Sequence, residues 1–306
     1  MIMKHAKAFP MNRAQKRSRI VATAIGVMGF SLSFMSNAAD WSDTYVGYRV
    51  GTQYRDCCTV NDRPNIKKEI FTLNHVSKYK YGSNFFNVDF ITSTSTRDPI
   101  SGDDAGAREI YAVYRHQLLL STFTGSPVKF GFVKDVTLTA GVDLNTKDSA
   151  FAPRATKYVV GPTFKLDVPS GFVDVSLLYR SEENHNKFAT SPTTASRMVD
   201  FDNHYGVNVA WGIPIKSINS KVDGFLDYVG PKGKDGAGFD TKAETLARVY
   251  LMYDVGSLAN NPGAIYAGIG YEYWDNKYGG NAATSSGKPA NAGKTSTPAL
   301  ALRAHF

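Results

Sequence analysis

From residue 40 onward the chain repeats one pattern. Apolar or aromatic residues recur at every second position in blocks of about ten residues, and segments rich in Gly, Ser, Asn and charge separate the blocks. Val46, Tyr48, Val50 and Tyr54 keep this phase, with only Thr52 breaking it. Val136, Leu138, Ala140, Val142 and Leu144 alternate with Asp135, Thr137, Thr139, Gly141 and Asp143. Ile265, Ala267, Ile269, Tyr271 and Tyr273 alternate with Tyr266, Gly268, Gly270, Glu272 and Trp274. The last block sets Leu300, Leu302, Ala304 and Phe306 against Ala299, Ala301, Arg303 and His305. A period of two predicts β-strands, because successive side chains of a strand point to opposite faces. No segment sustains a 3.6 period. No apolar stretch past residue 40 reaches the ~18 residues of a spanning helix.

The blocks predict twelve strands, at 43–54, 66–79, 84–94, 107–120, 133–145, 156–167, 172–183, 199–212, 221–230, 243–255, 264–274 and 297–306. Alternation alone also fits a soluble β-sandwich. Three features favour a membrane barrel. One face carries full charges while the other is small aliphatics flanked by Tyr, Phe and Trp. A terminal Phe closes an alternating strand. The connections also alternate in length: Tyr79–Gly82, Asp167–Gly171 and Ile213–Ser220 are short, whereas Arg55–Asn65, Thr96–Gly106, His185–Arg197, Gly230–Asp240 and Trp274–Thr297 are long. Ser121–Val133 is an exception, a long connection on the short side. The expected fold is all-β, a 12-stranded antiparallel transmembrane β-barrel over residues 39–306. An even strand number puts both ends in the periplasm of a Gram-negative bacterium. Lipid offers backbone groups no hydrogen-bond partner, so the sheet must close and leave no edge.

Charge first suggests something else. The 306 residues hold 35 Lys and Arg against 27 Asp and Glu, a formal charge of +8, which points toward nucleic acid or an acidic surface. Six of the basic residues (Lys4, Lys7, Arg13, Lys16, Arg17 and Arg19) fall within 1–38, where there is no acidic one. The rest of the chain has 29 basic residues against 27 acidic ones, a net of +2, so no nucleic-acid partner is expected. The basic stretch precedes an apolar run, Ile20–Met35, and Ser36-Asn37-Ala38 places small residues before Ala39. This is the layout of a signal peptide, predicted over 1–38 and cleaved near Ala38, with Met1 or Met11 as the start. The two cysteines, Cys57 and Cys58, are adjacent and staple nothing distant. No cofactor or metal site is expected.

Twelve strands lie between the eight that side chains fill and the sixteen that enclose an aqueous pore. The lumen lining would then set selectivity. Alternation places Arg49, Glu69, Asp89, Arg115, Asp143, Arg180, Asp223, Arg248, Glu272 and Arg303 inward, with Tyr45, Tyr111, Tyr266 and Trp274 among them. The candidate pore-lining and solute-binding residues are Arg49, Tyr111, Arg115, Asp143, Arg180, Tyr266, Glu272 and Trp274, with Tyr111 and Trp274 as stacking platforms. Rings and mixed charges suit a small, polar, flat-ringed solute such as a nucleoside. Such charges also pair with one another and fill an interior, so a plugged barrel with binding loops is the alternative. An enzyme is not expected: no G-x-S-x-G motif occurs, and His204, beside Asp200 and Asp202, is the only catalytic corner to consider.

Eight segments together resemble one family. They are WSDTYVGYRVGT (41–52), the stretch 65–89 containing NHVSKYKYGSNFFNVD, YAVYRH (111–116), LTAGVDLNTK (138–147), VVGPTF (159–164), NVAWGIPI (208–215), LMYDVG (251–256) and YEYWDNKYG (271–279). The chain resembles the nucleoside-specific channel-forming outer-membrane family typified by Tsx, and most closely its OmpK branch. The resemblance implies a twelve-stranded outer-membrane barrel that passes nucleosides or similar solutes passively. It also implies contact with outer-membrane lipid and lipopolysaccharide, and loops that serve bacteriophage as receptors.

Overall fold

A computed structural model describes residues 39–55, 65–93, 106–149, 151–190, 197–280 and 293–306. The expected signal peptide and Cys57 and Cys58 lie outside the described residues. Among the described residues there are thirteen strands: β1 (Trp41–Tyr54), β2 (Ile66–Tyr79), β3 (Gly82–Ser93), β4 (Arg108–Leu119), β5 (Val133–Lys147), β6 (Arg154–Leu166), β7 (Phe172–His185), β8 (Met198–Asp200), β9 (His204–Ile215), β10 (Ser220–Val229), β11 (Glu244–Asp254), β12 (Ile265–Asp275) and β13 (Thr295–His305).

Each strand pairs antiparallel with its neighbour in sequence, and β1 pairs with β13 through Tyr45↔His305 to Gly51↔Ala299, which closes the ring. The short β8 pairs with β7 through Glu183↔Asp200, just beyond the point where β9 meets β7 at Arg180↔His204. β8 and β9 are therefore one wall strand interrupted at 201–203, and the barrel has twelve strands as the periodicity predicts. The expected bounds hold to within three residues.

Both ends of the described sheet, Trp41 and His305, lie at the end with the short turns. The exceptional connection after β4 holds one helical turn, α1 (Ser121–Thr124), ended by Gly125 at φ 74°. This left-handed conformation is one that glycine adopts without steric cost.

The outer wall is apolar. Val46, Leu138, Val160, Leu251, Ile269, Leu300 and Leu302 are all exposed on it. Tyr205, Tyr228 and Tyr271 stand toward the long-loop end, and Tyr81, Tyr253 and Phe306 toward the short-turn end. An exposed apolar band between aromatic girdles is a surface suited to lipid. Among the described residues no helix is long and apolar enough to cross a membrane.

The inward face reverses this pattern: Arg49, Asp89, Asp143, Arg180, Glu272 and Arg303 are buried there. One assignment from the sequence is wrong. Glu69 points outward and pairs with Lys67, its Oε1 lying 2.8 Å from the Lys67 ammonium. On β2 the inward set is Ile66, Lys68, Ile70, Thr72 and Asn74, of which Ile66 and Ile70 are 2% exposed. Both faces of β2 mix apolar and charged residues, so its phase is set by pairing with β1 and not by its own pattern.

Candidate functional site: the lumen

One cavity of about 1350 Å³ occupies the interior and touches all twelve wall strands. It runs from Asp43, Gln117 and His305 at the short-turn end to Glu182, Trp274 and Lys277 at the long-loop end.

Seven of its lining cations pair with carboxylates. The Arg49 guanidinium donates to both carboxylate oxygens of Asp89, at 3.2 and 2.7 Å, across the intervening β2. Thr72 on β2 donates to the same carboxylate at 2.7 Å. Arg248 on β11 binds Glu272 on β12 at 2.7 Å and also lies 3.8 Å from Asp89. Asp89 thus joins β3 to β11 through the interior. Arg303 grips Asp223 with two hydrogen bonds of 2.6 and 3.0 Å. Arg115 pairs with Asp143, which also accepts from the Tyr111 hydroxyl at 3.2 Å. Arg180 donates to Asp227 at 2.5 Å. Lys165 binds Asp174 at 2.9 Å and Gln117 at 2.7 Å. An unpaired charge in such a confined space would be costly, and each of these cations meets a carboxylate.

Arg49, Tyr111, Arg115, Asp143, Arg180, Glu272 and Trp274 all line the cavity. The indole N–H of Trp274 donates to Glu244 at 2.5 Å, and the Lys277 ammonium lies 4.4 Å from the ring centroid. Tyr266 is placed differently. It points inward but lies outside the cavity lining, with Lys221 4.1 Å over its ring and His305 edge-on at 5.1 Å. It packs instead against the buried cluster of Tyr250, Met252 and Ala301. The sequence pattern gives its face but not its cover, which comes from β10 and β13.

Sequence reasoning missed a cluster at the long-loop end. Glu182 accepts from Lys232 at 2.6 Å and has Lys157 at 3.8 Å. Lys232 belongs to the connection between β10 and β11, which no alternation marks. Burial lowers its pKa from the usual lysine value, although Glu182 pulls the other way. His204 lines the cavity nearby, and its Nδ1 meets the backbone carbonyl of Asp202 at 3.0 Å. Among the described residues no carboxylate hydrogen-bonds to this ring, as one does to the base of a hydrolytic triad.

No family model matches the chain. No curated protein matches it either. Among solved structures it is similar to the NanC porin at 13% identity and TM-score 0.45, over 87% of this chain and 99% of that one. It is also similar to an outer membrane channel from Pseudomonas putida F1 at 10% identity and TM-score 0.48, over 89% and 98%. A third similar structure is the KdgM porin, at 10% identity and TM-score 0.41, over 86% and 99%. Likeness at this level says nothing about the solute.

Proposed function

We propose that this chain is a passive outer-membrane channel for nucleosides or comparable small polar solutes, of the Tsx-like family and its OmpK branch. In this reading the signal peptide is removed near Ala38. The short-turn end faces the periplasm, and the long-loop end faces lipopolysaccharide and the outside. One observation carries the proposal: a single cavity reaches residues at both ends of a barrel whose outer wall is apolar.

Its size bounds the cargo. Spread over an apolar band about 25 Å tall, 1350 Å³ gives a mean section of roughly 54 Å², a disc of about 4 Å radius. A mean section of this size suits a small solute such as one flat ring or one sugar. Cations and carboxylates are interspersed along the lining and seven of the cations are ion-paired, which favours an uncharged polar solute over an ion. Tyr111, Arg115 and Asp143 offer a hydroxyl, donors and acceptors within one patch, suited to ring edges and hydroxyls.

Planar-bilayer recording tests this directly. Single channels should conduct, and nucleosides should reduce the current at micromolar to millimolar levels. Conductance indifferent to nucleosides would remove the solute, and absence of conductance would remove the channel.

A second reading has its own support. At the long-loop end, Thr190 N–H donates to Gly236 at 2.7 Å and Lys242 N–H donates to Gly279 at 3.1 Å. Three connections therefore hydrogen-bond to one another as a folded surface. Such a surface fits a receptor for bacteriophage, which adsorption to cells carrying or lacking the protein would reveal.

A further inference from the structure

Several bulky side chains that line the cavity lie against glycine. Tyr250 on β11 stands directly opposite Gly270 on β12, Arg115 on β4 opposite Gly141 on β5, and Phe172 on β7 opposite Gly212 on β9. Arg180 on β7 lies diagonally against Gly206 on β9. The fit is close. A Cβ on Gly270 would come within 2.5 Å of a Tyr250 ring carbon, and one on Gly212 within 2.6 Å of a Phe172 ring carbon. A Cβ on Gly141 would lie 2.6 Å from Cδ of Arg115, and one on Gly206 2.6 Å from Nε of Arg180. Ordinary carbon contacts begin at about 3.5 Å. Each of these seats therefore exists only because the wall residue has no side chain.

The side chains use the seats by lying down. A side chain on a strand stands roughly perpendicular to the sheet, and inside a barrel that direction is toward the axis. Arg115 instead follows the wall. Its guanidinium donates to the backbone carbonyls of Tyr114 at 2.9 Å and Val142 at 3.4 Å, and pairs with Asp143. Nε of Arg180 is buried without a hydrogen-bond partner, pressed against Gly206. Arg303 lies 4.6 Å over the Tyr250 ring, so the seat of that ring also bears on the Arg303–Asp223 pair. The seats fall on three strand pairs spaced around the barrel: β4–β5, β7–β9 and β11–β12.

We propose that Gly141, Gly206, Gly212 and Gly270 set the bore of the channel, and with it the largest neutral solute that passes. They are positioning residues, acting through Arg115, Arg180, Phe172 and Tyr250 in that order. This deepens the channel reading and rests on it. A methyl group at one of these positions lifts the seated side chain off the wall by about 1 Å. The cavity's mean radius is only about 4 Å, so that shift is a sizeable part of the opening. Passage of a solute nearly as wide as the bore falls steeply with such a loss, whereas a much smaller solute scarcely meets it. The glycines thus select by size, while the ion pairs and hydroxyls beside them select by chemistry.

Gly270 and Gly212 carry the test, because the atoms nearest a Cβ there all belong to the seated rings. At Gly141 and Gly206 the backbone oxygens of Tyr114 and Tyr228 also stand in the way. Vesicles holding the full-length protein are placed in isotonic glycerol or glucose, and their swelling rates are compared. The glucose-to-glycerol ratio cancels differences in the amount of folded protein. Gly270→Ala and Gly212→Ala should each lower that ratio about threefold. In a Tyr250→Ala background Gly270→Ala should change nothing, since the ring it lifts is gone. The same cycle with Gly212→Ala and Phe172→Ala repeats the test on another strand pair, so poor folding of one variant does not remove it. A wild-type ratio in the single glycine variants overturns the proposal, and so does a loss that persists without the ring. Wild-type protein that admits neither solute overturns the channel reading instead.

Discussion

The outward and inward faces of this barrel are made by alternate residues of the same strands, yet they obey different rules. On β12, Ile269 is 60% exposed on the outer wall, and Glu272 is 4% exposed inside. The outer rule is local, since each side chain must suit lipid whatever its neighbours are. The inner rule is relational. Arg49 on β1 needs Asp89 on β3, and Arg303 on β13 needs Asp223 on β10. A residue outside can be exchanged for any other apolar one, whereas a residue inside is bound to a particular partner strands away.

The largest effect should come from breaking an inner pair. Arg49→Met leaves Asp89 buried with Arg248 only at 3.8 Å, and Asp89→Leu leaves Arg49 without a carboxylate. Loss of one buried partner costs about 3–5 kcal/mol, while replacing both with apolar groups is often near neutral. Denaturant unfolding of the two single variants and the double variant in lipid would show it, with the double recovering most of the loss. If the single variants lose nothing, or the double loses their sum, the inner face does not work by pairing.

A smaller loss is expected on the outer face. Ile269 lies mid-strand, and Ile269→Lys puts an ammonium at the lipid midplane, a cost of about 2–4 kcal/mol. No partner substitution inside the lumen should rescue it. Folding titrations into vesicles measure the difference. A neutral result would mean that lipid does not meet this wall.

The contrast also explains what the sequence could disclose. Strand number, bounds and the inward position of Arg49, Tyr111, Arg115, Asp143, Arg180, Glu272 and Trp274 follow from a period of two, which is a local property. The interruption of the eighth wall strand at 201–203 does not follow, because it is set elsewhere. Phe201 N–H donates to Glu182 and Asp202 N–H to Lys232, at 3.0 Å each. The cover over Tyr266 and the Asp89 chord are likewise invisible, since both depend on which strands face each other across the lumen. Glu182 and Lys232 meet across fifty positions of sequence. No spacing signals that pair.

Glu69 is where the local rule itself was insufficient, and it gives the finest test. Its neighbours along the inward face of β2 include Ile66 and Ile70, which look outward-facing by hydropathy alone. Pairing with β1 decides the matter: Glu69 lies opposite Val50, and Thr72 lies opposite Gly47 on the inner side. Glu69 and Lys67 have side chains 32% and 44% exposed, so their ion pair is well solvated and weak. Glu69→Gln should therefore leave single-channel conductance, ion selectivity and unfolding midpoint unchanged, whereas Asp143→Asn should shift selectivity toward anions by uncovering Arg115. A selectivity shift from Glu69→Gln as large as that from Asp143→Asn would turn β2 over. It would carry Ile66, Lys68 and Ile70 to the lipid side and dissolve the buried cluster that Ile66 and Ile70 form with Tyr54.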